Sequence, residues 1–175
     1  IANTFLAAAG YSVGTSLYEP ELVDDAKKVM AKAKELGKTL PLPVDVVTAK
    51  ELAPGQTATV CDVDKVPADE MILDVGPKTV ELYAGLLQKA ATVVWNGPVG
   101  AFETDPFGAG TKALAEALAA SPAFVVVGGG DSVPAVESYG LADKMGYIST
   151  GGGASLELLE GKLLPSVAAL QDRGE

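Results

Sequence analysis

Two glycine runs hold the residues best suited to chemistry: Gly128-Gly129-Gly130-Asp131-Ser132 and Ser149-Thr150-Gly151-Gly152-Gly153-Ala154-Ser155. Each follows a short apolar segment and leads into a helical pattern. Consecutive glycines let the backbone adopt conformations closed to other residues and come close to a ligand. At a helix start they aim unpaired N–H groups and the positive end of the helix dipole at an anion. Two such turns in one chain predict a site for a polyphosphate. Asp131 is placed to reach Mg²⁺ through water, because that ion keeps several waters and takes few carboxylates. A helix cap by Asp131 or Ser132 is the simpler alternative, but a cap alone does not need three glycines. The second run carries no acid, which suits it to a transferred phosphoryl group rather than a metal. A glycine turn packed on a sheet explains that run equally well.

A third segment, Trp95-Asn96-Gly97-Pro98-Val99-Gly100-Ala101-Phe102-Glu103, leaves a strand directly. Gly97 and Gly100 permit close backbone approach, Pro98 offers a stiff apolar edge to a base or sugar, and Glu103 offers acceptors to ribose hydroxyls. A plain turn with a solvated Glu103 is the competing reading. Gly108-Ala109-Gly110-Thr111-Lys112-Ala113 fits the loose G-x-G-x-x-A dinucleotide pattern. It does not leave a strand directly and lacks the expected acid, so it reads as a helix start with small residues. The G-x-x-x-x-G-K-[S/T] phosphate loop is absent, and the chain has no histidine. That removes Ser-His-Asp and Cys-His catalysis in their usual forms, and histidine metal sites.

The charge balance sets a condition on any phosphate chemistry. With 13 Lys and Arg against 23 Asp and Glu, the net charge is −10, which argues against nucleic acid as a partner. Phosphoryl transfer needs positive charge near the oxygens, yet neither glycine run contains Lys or Arg, and the one arginine is Arg173. The charge must come from Mg²⁺ or from protein outside these residues. A single cysteine, Cys61, excludes a disulfide framework and fits a reduced cytoplasm; in its strand-like run it reads as a small core residue. No signal peptide and no apolar run of membrane-spanning length is seen. Asp62, Asp64, Asp69 and Glu70 read as a solvated excursion.

These loops need a scaffold. At 175 residues and 48% hydrophobic composition the chain fits one domain with a sizeable core. Residues 3–9 form a helical pattern stopped at Gly10, so the chain is expected to open in the middle of a domain. Glu19-Pro20 starts a longer helix with Leu22, Val23, Ala26, Val29, Met30, Ala33 and Leu36 at helical spacing and Gly37 as its stop. Strands are predicted over 40–47, 57–63, 71–75, 92–95, 123–127 and 147–149. Helices are predicted over 79–90, 107–120 and 132–139, and from Ala154 and Pro165. Apolar strands alternating with helices imply an α/β fold, a Rossmann-like three-layer domain with a mostly parallel sheet. Ligands in such sheets bind at the carboxyl ends of the strands, where both glycine runs and Asn96-Gly97-Pro98 sit. No repeat, low-complexity tract or second-domain boundary is visible.

Taken together the motifs resemble phosphoglycerate kinases of bacterial type, specifically the C-terminal, nucleotide-binding domain. The resemblance rests on Ala2-Asn3-Thr4-Phe5-Leu6, Gly14-Thr15-Ser16-Leu17-Tyr18-Glu19, Leu42-Pro43-Val44-Asp45, Leu73-Asp74-Val75-Gly76-Pro77, Trp95 to Glu103, Gly128 to Ser132, and Ser149 to Lys162. These stretches are collinear, and the last is highly specific. The resemblance implies that residues 1–175 are that domain, incomplete at the N-terminal side. It implies a glycolytic transfer of a phosphoryl group between 1,3-bisphosphoglycerate with MgADP and 3-phosphoglycerate with MgATP, in the cytoplasm, by a monomeric full-length protein without membrane or nucleic-acid partners.

By the same resemblance Leu17 and Leu73 line the adenine pocket, Asn96 and Pro98 contact the phosphate and sugar side, and Glu103 the ribose. Gly128, Gly129, Gly130, Asp131 and Ser132 hold phosphates and Mg²⁺, and the amides of Gly151, Gly152 and Gly153 face the migrating phosphoryl group. The family's basic N-terminal domain, its Gly-Gly-Ala-Lys segment and the glycines backing the adenine have no counterpart in the 175 residues. The acceptor 3-phosphoglycerate would bind that N-terminal domain, so the chain alone is expected to have negligible kinase activity. Ser132 stands where Thr is usual, Ala101 where Val is common, and Thr15 where many bacterial members have Lys. A non-catalytic nucleotide-binding module is the second reading. Half of a nicotinamide-dependent oxidoreductase is the third, weakened by the misplaced G-x-G-x-x-A pattern.

Overall fold

The computed structural model describes residues 1–173 and divides into two compact units. The first comprises Ile1–Leu86 with Val99–Leu114, and the second Leu87–Pro98 with the chain from Ala115. Because the segments interleave, no single linker marks the division, which is why the sequence shows no boundary.

In the first unit, β1 (Asp45–Ala49) pairs with β2 (Thr59–Asp62) and β3 (Met71–Val75), both antiparallel, in the order β2-β1-β3. The strands were expected, their antiparallel pairing was not. Segment 50–58, which joins β1 to its neighbour β2, carries no α-helix and falls short of the dozen or so residues a parallel crossover needs; β3 then enters on the other side of β1, also running against it. β1 begins later than the apolar run at Leu40 suggests. Pro41 and Pro43 have no N–H to give a ladder, so pairing starts beyond them. Helices α1 (Ala2–Ala8), α2 (Val23–Glu35) and α3 (Pro77–Leu87) follow the predicted pattern within a few residues. α2 is preceded by a 3-10 turn at Pro20–Leu22. Its apolar stripe is only partly used: Ala26 is buried, whereas Val29 and Leu36 remain about half exposed. The core is Leu6, Val13, Val46, Val63 and Val66, with Cys61 packed at its margin. Burial pushes the Cys61 thiol up. The acidic excursion is tied down by lysines: Asp62 pairs with Lys78 at 2.6 Å and Lys65 at 3.1 Å, and Asp69 with Lys50 at 3.2 Å.

In the second unit, β4 (Thr92–Asn96), β5 (Phe124–Gly128) and β6 (Tyr147–Ile148) form a parallel sheet in the order β4-β5-β6. α4 (Ala109–Ala119) lies between β4 and β5 in sequence, and α5 (Ser132–Ser138) between β5 and β6. The expected helix–strand alternation thus produces parallel pairing here, where the connections contain helices. Trp95, Val125 and Val127 on the sheet pack with Ala115, Leu118 and Val136 from the helices. α6 (Gly153–Leu159) and α7 (Pro165–Gln171) complete the unit. Among the described residues no helix is long and apolar enough to cross a membrane.

Candidate functional site

In the second unit the parallel register sets three loops side by side. Asn96 pairs with Gly128 and Val127 with Ile148, so Asn96-Gly97-Pro98, the Gly128–Ser132 run and the Ser149–Ser155 run all leave the carboxyl edge of one sheet. A hydrogen bond ties the first two loops together, and a close approach at Gly129 leaves no room for a side chain. The Ser132 Oγ, fully buried, accepts the Gly97 N–H at 2.6 Å. Gly129 has φ +89°, and a Cβ there would stand 2.6 Å from the Asn96 Oδ1, so this glycine is required both by its backbone angle and by the Asn96 side chain.

The cap alternative for Asp131 is answered by the geometry. Asp131 occupies the N-cap position of α5 but makes no side-chain cap bond, and its carboxylate is exposed. Among the described residues the amides of Gly129, Gly130 and Asp131 donate to no protein partner. Ser132 differs from the expectation. Its hydroxyl is engaged by Gly97 and its side chain is buried, so it fixes the loop rather than presenting its side chain at the surface.

The second run is partly self-satisfied. Ser149 Oγ and Ser155 Oγ lie 2.7 Å apart, and the Gly151 N–H reaches the Ser149 Oγ at 3.2 Å. Gly151 therefore spends its amide on Ser149. The amides of Gly152, which has φ +51°, and Gly153 have no protein partner among the described residues.

Within the first unit, Leu73 sits half-buried on β3, and Leu17 is 92% exposed in the loop beside it. That loop is stitched to β3 by the Ile72 N–H donating to the Ser16 Oγ at 2.8 Å and by Thr15 N–H donating to the Glu70 carbonyl at 2.9 Å. Glu103 is exposed and ends a segment held from below. The Ala101 N–H donates to the Leu73 carbonyl at 2.8 Å. The Thr111 Oγ1, fully buried, accepts the Val99 and Gly100 amides, each at 3.2 Å. The buried Asp74 carboxylate accepts the Gly110 N–H at 2.7 Å and the Val75 N–H at 2.8 Å. A Cβ at Gly100 or Gly110 would collide with it. Burial pushes Asp74 up to about 6, against the lowering pull of the two amides. The glycines of the G-x-G-x-x-A pattern are thereby accounted for by packing: Gly110 against Asp74, and Gly108 against the Phe102 backbone, whose carbonyl a Cβ would approach to 2.9 Å.

Asp74, Thr111 and the Ser132–Gly97 bond were not singled out from sequence. The available signal is an acid inside an apolar strand run, Leu73-Asp74-Val75, and hydroxyl residues in the first turns of helices.

Comparison with known proteins accounts for these motifs as a set. Residues 1–162 match the family model described as phosphoglycerate kinase. The chain is 73% identical over 173 residues to the phosphoglycerate kinase of Desulfovibrio desulfuricans, covering 99% of this chain and 44% of that protein. It is 59% identical, with the same coverage, to that of Nitratidesulfovibrio vulgaris. Its structure resembles phosphoglycerate kinase from Coxiella burnetii with a TM-score of 0.95 at 51% identity, over 99% of this chain and 45% of that one. The Pyrococcus horikoshii enzyme gives 0.81 at 34%, over 97% and 43%. The chain spans less than half the length of these relatives, and it belongs to the phosphoglycerate kinase family.

Proposed function

We propose that the chain is the nucleotide-binding part of a phosphoglycerate kinase, its C-terminal domain, and that it holds MgADP or MgATP during phosphoryl transfer between 1,3-bisphosphoglycerate and ADP. The observation that carries this reading is the Gly128–Asp131 run. It lies at the carboxyl edge of a parallel sheet, with three unpartnered backbone amides and an acid that caps nothing. Backbone N–H groups in a glycine turn are suited to phosphate oxygens because they donate without a side chain in the way.

Each unit contributes through its own residues. In the second, Gly129, Gly130 and Asp131 take phosphate oxygens, Asn96 and Pro98 flank them, and the amides of Gly152 and Gly153 serve the transferred group. In the first, Leu17 and Leu73 offer apolar surface to the base, and Glu103 accepts from ribose hydroxyls. Mg²⁺ fits this arrangement. No group of three or more His, Cys, Asp or Glu side chains converges among the described residues, whereas Mg²⁺ is commonly held by one or two carboxylates, waters and the substrate's own phosphates. Asp131 is the carboxylate available. The ion, when bound, neutralises charge developing on phosphate oxygens, while the loops hold the group in line.

The 175 residues supply few cations for the acceptor side: one arginine, no histidine and a net charge of −10. The chain by itself is therefore expected to bind nucleotide without turning it over. Calorimetric titration of MgADP into the folded chain tests the reading. Saturable binding weakened by Glu103→Ala and Asp131→Ala supports it, and a folded chain with no heat of binding counts against it.

A further inference from the structure

Building on the nucleotide reading, we infer that Asp74 and Thr111 are positioning residues for nucleotide binding: together they fix the backbone of the Val99–Glu103 segment that presents Glu103. Four anchors converge on this segment. The Thr111 Oγ1 takes the Val99 and Gly100 amides at 3.2 Å each. The Leu73 carbonyl takes the Ala101 amide at 2.8 Å. Gly100 lies directly against the Asp74 carboxylate, with no room for a Cβ. Gly110, one residue before Thr111, donates to the other Asp74 oxygen at 2.7 Å. The carboxylate thus aligns the first turn of α4, and α4 in turn aims Thr111 at the loop.

Both side chains are essentially buried. Burying a polar group costs free energy unless it is hydrogen-bonded, and here the bonds go to backbone amides of Val75, Val99, Gly100 and Gly110. Among the described residues no charged side chain compensates Asp74, whose carboxyl is pushed up by burial against the lowering pull of the Gly110 and Val75 amides. What the pair holds is a short loop of backbone amides ending in an exposed acid. Because the hydroxyl accepts two amides at once, losing it releases two successive residues of that loop.

The test uses the full chain, with MgADP as probe and amide hydrogen exchange as a second readout. Thr111→Val keeps the shape and removes the acceptor. It should raise the Kd for MgADP at least tenfold and speed exchange at 99–103, while leaving 124–128 in the second unit protected. Thr111→Ser, which keeps the hydroxyl, should stay within about twofold of the unmodified chain on both counts. Should Thr111→Val not fold, Thr111→Ala, which leaves room for water at the two amides, is expected to show the same pair of effects. A folded Thr111→Val or Thr111→Ala chain with unchanged MgADP affinity overturns the positioning role alone. Absence of MgADP binding by the unmodified chain overturns the nucleotide reading, and this inference with it.

Discussion

Asp45 and Thr79, 34 residues apart, share a closed set of hydrogen bonds. The Asp45 Oδ1 accepts the Thr79 N–H at 2.7 Å, and the Thr79 Oγ1 accepts the Asp45 N–H at 3.0 Å. The Thr79 hydroxyl has its own acceptors 2.8 Å away in the Asp45 carbonyl and Oδ1. Asp45 Oδ2 adds the Lys78 N–H at 3.0 Å, so a residue at the start of β1 caps α3. Gly76 passes so close to the carboxylate that any Cβ would strike it. The same design recurs with Asp74 and Thr111 at α4, and in part with Ser132 at α5. A hydroxyl in the first turn of each helix accepts a backbone amide from a segment distant in sequence.

Removing this cap should be costly. Asp45→Ala strands two first-turn amides in a buried place, and is expected to lower stability by roughly 2–3 kcal/mol. Urea denaturation followed by circular dichroism measures it. A loss below about 0.5 kcal/mol would show that water replaces the carboxylate.

Asp74 makes stability depend on pH in a direction opposite to most carboxylates. Its folded value of about 6 lies above the unfolded value near 4, so between the two the folded state binds the extra proton. Stability from this group is full below about pH 4 and is lost as pH rises through 6, on the order of 2 kcal/mol. The difference in denaturation midpoint between the unmodified chain and Asp74→Asn, followed from pH 4.5 to 7, should therefore change steadily across the window. A constant difference contradicts the buried, uncompensated carboxyl.

Asp131 separates a cap from a ligand. Its carboxylate bonds to nothing in α5, so Asp131→Ala should leave stability within about 0.5 kcal/mol. Its affinity for MgADP should fall about tenfold, with little change for ADP measured in the presence of a chelator. Equal losses with and without Mg²⁺ would assign Asp131 to the phosphates instead.

Gly129→Ala tests the turn itself. The φ of +89° and the 2.6 Å approach to Asn96 Oδ1 leave no strain-free place for a methyl group. A cost of about 1–2 kcal/mol in stability is expected, together with MgADP binding weakened tenfold or more. Gly130→Ala, where a Cβ meets nothing within 4 Å, should cost less stability. If its nucleotide affinity falls as far as that of Gly129→Ala, the backbone amides rather than the turn geometry are at stake.

Local rules carried much of this protein. The 3.6-residue pattern in Val23–Glu35, the glycine stops and the compact apolar runs at 71–75 and 124–128 fix helices and strands within a few residues of where they fold. Such signals depend on near neighbours only. The glycine runs were equally legible, because three successive residues without side chains are a local statement about backbone freedom. Tertiary structure decided the rest. That β1 sits between β2 and β3 and pairs antiparallel with both is decided by the packing of the unit, although only the β1–β2 connection is of hairpin length. Asp74 and Thr111 look like an acid in a strand and a threonine in a helix until packing places a carboxylate against Gly110 and a hydroxyl beneath Val99 and Gly100. Ser132 reads in sequence as part of a phosphate-holding run, with a helix cap as the alternative, and its side chain is a buried tie to Gly97, 35 residues away. Hydrogen bonds between distant residues leave no periodicity in the chain, since their partners are chosen by the fold and not by spacing.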